Sequence, residues 1–128
     1  MATRRSRSGD RQPSERRQVG LTLPRRVKAE LAEAAAALER SAGDWVVAAA
    51  AEHGRALQDA LGEAEVRRRP RIDDATFTAL SLTPDERDEL DDLAVACGLN
   101  RSAFVTSVSR LALGEELDLV VAPLVEPG

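Results

Sequence analysis

The segment Arg16-Arg17-Gln18-Val19-Gly20-Leu21-Thr22-Leu23-Pro24 decides how the rest of the chain is read. Val19, Leu21 and Leu23 alternate with Gln18, Gly20 and Thr22, the period of two that an extended chain imposes on its side chains. One strand followed by helical sequence leaves a row of backbone N–H and C=O groups without partners, so a second strand is required. Where that partner lies sets the architecture, and the polar face of the strand is the first candidate for function.

Downstream, Pro24 suits a first helical turn, and Val27, Leu31, Ala34, Ala35 and Leu38 recur at helical spacing to about Glu39. Ser41, with Asp44 three residues on, reads as the N-cap of a second helix over residues 42–61, striped by Trp45, Val46, Ala49, Ala50, His53 and Leu57. Residues 62–75, GEAEVRRRPRIDDA, are polar and broken by Pro70. They form a linker whose arginines make either a solvated face or a nonspecific phosphate contact.

Past the linker the pattern returns. At a shift of 59 residues Leu21 aligns with Leu80, Leu23 with Leu82, Leu31 with Leu90, Ser41 with Asn100, Trp45 with Phe104 and Val46 with Val105, without a gap. This is an internal repeat. Residues 76–82 supply the second strand, and Thr83-Pro84-Asp85-Glu86 supplies an N-cap, a first-position proline and a glutamate at N3. Leu90, Leu93, Ala94 and Cys97 line the helix that Gly98 ends; Asn100 caps the next, lined by Phe104, Val105, Val108, Leu111 and Ala112. The run from Leu117 to Ala122 reads as a short strand or a partner-docking segment.

The expected organisation is a disordered basic arm (1–15), a basic first repeat (16–61), a linker (62–75), an acidic second repeat (76–114) and a tail (115–128). Each repeat is near the size at which one core fails to offset chain entropy, so pairing with another copy is obligatory. The expected fold is mainly α: two tandem strand-helix-helix repeats forming one or more antiparallel two-stranded ribbons over a four-helix core.

The net charge of −4 conceals a division. Residues 1–72 carry fifteen Lys and Arg against ten Asp and Glu, whereas residues 73–128 carry three against twelve. A basic half suits a polyanion, and the Arg- and Ser-rich arm reads as a solubilising tail or as a phosphate-tracking segment. Cys97 is the only cysteine, no run approaches the length of a membrane span, and no apolar leader core follows the basic N-terminus, so a cytoplasmic protein is expected. There is no glycine-rich phosphate loop, nucleophile–base arrangement or metal-ligand cluster, and His53 is the only histidine. No enzyme activity, cofactor or metal is expected.

Strand, helix, a turn with a Ser or Asn cap and a second helix together resemble the ribbon-helix-helix family of DNA-binding proteins, over residues 18–57 and again over 77–113. The pieces that carry the likeness are Leu21-Thr22-Leu23-Pro24, Gly98-Leu99-Asn100-Arg101-Ser102-Ala103-Phe104-Val105 and its counterpart Arg40-Ser41-Ala42-Gly43-Asp44-Trp45-Val46. The resemblance implies an antiparallel ribbon lying in the DNA major groove, with the helices forming the dimer core. Gln18, Gly20 and Thr22 would then read bases: Gln18 suits adenine, Thr22 offers a hydroxyl or a methyl, and Gly20 allows close backbone approach. Arg40 and Ser41 at the start of the second helix would meet phosphate, as would Arg16, Arg17, Arg25, Arg26, Lys28 and the arm residues Arg4, Arg5 and Arg7.

In the second copy the equivalent positions are Phe77, Ala79 and Ser81, which offer little hydrogen bonding, and Asp85 to Asp92 crowd its first helix with acid. That copy is not expected to read DNA by itself, although Asn100 and Arg101 are possible phosphate contacts. Two assemblies satisfy the strand: an internal pseudo-dimer, or a homodimer pairing the first strands of two chains, which the uneven charge favours. The leading functional expectation is a sequence-specific DNA-binding repressor. Alternatives are a plasmid transfer or partition accessory protein, an antitoxin whose acidic half binds a protein partner, and a helical interaction adaptor that binds no DNA.

Overall fold

The computed structural model describes residues 15–62, 64–66 and 74–125. The chain is mainly helical with one small sheet, in the order β1 (Arg17–Pro24), α1 (Arg25–Ala37), α2 (Ala42–Leu61), β2 (Ala75–Leu82), α3 (Pro84–Cys97), α4 (Arg101–Ala112) and α5 (Leu117–Val121). A 3-10 turn over Ala122–Leu124 follows. The arm residues Arg4, Arg5 and Arg7 and the linker arginines Arg67, Arg68, Arg69 and Arg71 lie outside the described residues.

The second strand lies in the same chain. β1 and β2 pair antiparallel, with Gln18 opposite Ser81, Gly20 opposite Ala79 and Thr22 opposite Phe77. Pairing the first strands of two chains, favoured on charge, is not what is found. This register puts Val19, Leu21 and Leu23 beside Leu80 and Leu82 on one face, all buried.

Beneath the ribbon lie Val27, Leu31 and Ala35 of α1, Trp45, Val46, Ala49, Ala50 and Leu57 of α2, Leu90 and Ala94 of α3, and Phe104, Val105 and Val108 of α4. The helices start where local chemistry starts them. The Ser41 and Asn100 side chains accept from Asp44 N and Ala103 N, and Thr83 and Glu86 complete a capping box. Pro24 is the residue before α1 rather than part of its first turn, since its extended ψ of 139° keeps it in the strand.

The ends of α1 and α3 share a pattern of two hydrogen bonds. Arg40 N donates to Ala35 O and Glu39 N to Ala36 O; 59 residues on, Leu99 N donates to Ala94 O and Gly98 N to Val95 O. Both endings need a left-handed residue, which is Gly98 (φ 73°) in α3 and Glu39 (φ 55°) in α1.

Two further expectations are corrected. Leu38 was placed on the apolar stripe of α1, but the helix stops at Ala37 and Leu38 is 59% exposed. The segment from Leu117 to Ala122 is neither a strand nor a free docking surface. Leu117, Val120, Val121 and Leu124 recur at helical spacing, and α5 with its 3-10 turn packs on α2 and α4, burying Val120 and Leu124. Within the linker, Val66 bridges to Val125 and lies beside Gly98 at the end of α3.

Candidate functional site

The outer face of the ribbon carries Gln18, Gly20 and Thr22 from β1 and Phe77, Ala79 and Ser81 from β2, and none of the six is buried. Their backbone groups point away from the partner strand. Thr22 N donates to Ser102 Oγ at 2.9 Å, and Gly20 O accepts from Arg101 Nη1 at 3.3 Å. On the other edge Ser81 O accepts from Arg16 Nη1 at 2.7 Å, and Phe77 O from Lys28 Nζ at 3.1 Å. The six residues therefore form non-hydrogen-bonded pairs, the arrangement that holds facing side chains closest.

Those same bonds close both edges. The N-terminus of α4 lies along β1 and that of α2 along β2, so close that a Cβ on Gly43 would stand 2.4 Å from Ser81 O. Covered edges offer no template for a further strand. What the ribbon leaves to a ligand is its outer face.

Along that face the chemistry is graded. At one end Gln18 meets Ser81, an amide beside a hydroxyl; at the other Thr22 meets Phe77, whose ring is 69% exposed. The Gln18 side chain has no hydrogen-bond partner among the described residues. Gly20 has a role besides the one expected. A Cβ there would meet the Phe77 ring at 3.0 and 3.1 Å, so the missing side chain also makes room for the ring.

Several expected phosphate contacts are already engaged. Arg16 bridges Asp44 at 3.0 Å and Glu86 at 3.7 Å besides holding Ser81 O, so it ties the ribbon to α2 and α3. Arg101 makes a two-pronged pair with Asp91, both distances 2.8 Å, which lowers the Asp91 pKa and raises that of Arg101. Asn100 is committed to capping α4, and Ser41 to capping α2. Exposed pairs join Arg17 to Glu15, Arg25 to Asp74 at 3.4 Å and Arg26 to Glu30 at 2.7 Å. Such surface pairs exchange readily for phosphate. Arg40 is exposed with no ion pair among the described residues.

The sequence reading placed Phe77 on the outer face but gave it no role, and it did not single out Ser102. Ser102 has no sequence signal, because its partner, Thr22 N, lies 80 residues away. Phe77 had one: a glycine that faces an aromatic across a strand pair is a recurrent accommodation, but it is visible only once the register is known.

Elsewhere, Leu38, Arg40, Trp45, Ala48, Ala49, Glu52, His53 and Ala112 line an open groove of about 210 Å³. Cys97 is buried, and burial raises its thiol pKa, away from nucleophilic use. Among the described residues no helix is long and apolar enough to cross a membrane, and no group of acidic, His or Cys side chains is placed to hold a metal. Comparison with protein-family models, curated proteins and solved structures returns no match.

Proposed function

We propose that this chain is a sequence-specific DNA-binding protein built as two ribbon-helix-helix copies in tandem, folded into a single-chain pseudo-dimer, and that it acts as a transcriptional repressor. The observation that carries the reading is the outer face of the ribbon, where Gln18 projects without a partner among the described residues while both strand edges are closed. A two-stranded ribbon fits the major groove, which is about 12 Å wide. Matching helix ends and caps at the 59-residue shift support the tandem reading, and the N-termini of α2 and α4 flank the ribbon where phosphates would run. Repression would be steric, by occupation of the site.

The test is selection of bound duplex from a random pool, followed by affinity measured across salt concentrations. A log K that falls linearly with log salt is expected; a flat line sinks the proposal. Gln18→Ala should cost about 1–3 kcal/mol at one base position and leave the salt slope unchanged. If it changes no base preference, the outer face is not the reading face.

One observation favours a second reading, a protein-interaction adaptor. Arg16 and Arg101 are held by carboxylates within the fold, which reduces the charge available to phosphate. Absence of any DNA complex at low salt would select this reading.

A further inference from the structure

The ribbon's two ends differ in kind, and that difference specifies a class of DNA site. In an antiparallel pair centred on Gly20 and Ala79, the end holding Gln18 is related to the end holding Phe77, and Thr22 to Ser81. A symmetric ribbon would present the same groups at both ends. Here one end presents an amide and a hydroxyl, and the other a phenyl ring beside the methyl and hydroxyl of a threonine. Resting on the DNA-binding reading above, we propose that Phe77 is a specificity-determining residue that reads thymine 5-methyl groups, so that the chain recognises a non-palindromic site with one hydrogen-bonded half and one methyl-contacted half.

Three observations carry it. Phe77 is 69% exposed although it stands on a strand whose other large apolar side chains, Leu80 and Leu82, are buried, so its ring is not part of the core. Its position is built: Gly20 vacates the space against the ring edge at 3.0–3.1 Å, and Lys28 Nζ holds the Phe77 carbonyl at 3.1 Å, fixing the backbone that aims it. Its neighbours across and along the face, Thr22 and Ala79, are the residue types that also suit a methyl contact. In the major groove only thymine among the four bases presents a methyl, so an apolar end has one base to prefer. Hydrogen-bonding capacity, the ground on which β2 was set aside, is not the only means of base readout.

The experiment uses the full chain and the duplex obtained by selection. Each thymine in turn is replaced by deoxyuridine, which keeps every hydrogen-bonding group and removes only the methyl. The expected result is a loss of about three- to tenfold at one or two positions, confined to one half of the site. In Phe77→Ala the same replacements should have no further effect, whereas Phe77→Leu should retain part of it. Thermal melts of both variants check that they fold, as the exposure of the ring leads us to expect. Uniform tolerance of deoxyuridine, or an equal loss in Phe77→Ala and the parent, overturns the inference while leaving DNA binding intact. Failure to select any duplex removes the underlying reading instead.

Discussion

The segment 17–61 and the segment 75–112 follow one plan, yet they finish it differently. α3 opens with a complete capping box and ends on Gly98, whereas α1 opens at Pro24 with no side-chain cap and ends on a glutamate held at φ 55°. α5 packs on α2 and α4, and from Ala103 to Ser109 every residue of α4 is buried. The matching stretch of α2 keeps Val47 and Ala48 half-buried, and its flank opens into the groove beside Leu38 and Trp45. The better-capped, better-covered half contributes the apolar strand face, and the less finished half contributes Gln18.

The sharpest way to break that contrast is to strip the cover. Leu124→Ala should cost about 2–5 kcal/mol in urea unfolding, because a buried leucine is lost together with the seat of the tail. Leu38→Ala, at the exposed position of the other half, should stay within about 0.5 kcal/mol. Comparable costs at the two sites would show that the groove is not open in solution.

Next come the two close approaches of helix to strand. Gly43→Ala should cost about 1–3 kcal/mol, since its Cβ would collide with the backbone oxygen of Ser81 and push α2 off β2. Ser102→Ala at the equivalent place loses only the bond to Thr22 N, about 1 kcal/mol. Hydrogen exchange at Thr22 should rise in Ser102→Ala and not in Gly43→Ala.

Smaller effects concern the helix ends. Thr83→Ala removes a cap and should destabilise by about 1 kcal/mol. Glu39→Gly relieves a left-handed residue and should stabilise by about 1 kcal/mol, giving α1 the ending that α3 already has. Both follow from thermal melts.

The smallest is electrostatic. Hydrogen bonds from Arg101 lower the Asp91 pKa. A carboxylate depressed in the folded state stabilises the fold above its unfolded pKa of about 3.9 and loses that contribution as pH falls through the folded value. Arg101→Ala should therefore narrow the gap in urea stability between pH 7 and pH 3, by less than about 1 kcal/mol because the two side chains are 33% and 38% exposed. An unchanged gap would mean that the pair is inert.

Much of this was legible in residues 16–24 and their echo 59 positions on. Alternation marked the strands, and Ser41, Thr83, Asn100 and Gly98 marked helix ends, because each acts on backbone within a few residues. The rest was not local. α5 is five residues long, too short to nucleate alone, and exists by docking, so its helical spacing was indistinguishable from a strand-like apolar run. Thr106 and Ser109 are polar yet buried in α4, and their hydroxyls have no hydrogen-bond partner among the described residues. Arg101 read as a phosphate contact because Asp91, ten residues earlier on another helix, carries no mark that it will turn toward it.

Because β1 finds its partner within the same molecule, assembly of the ribbon does not depend on how many copies are present. A ribbon shared between two molecules dissolves into halves on dilution below its dissociation constant, and its stability is inseparable from protomer concentration. Covalent linkage replaces that requirement with a fixed effective concentration, of order millimolar. Unfolding midpoints should accordingly be the same at nanomolar and micromolar protein, and a cell holding a handful of these chains would hold a handful of complete ribbons.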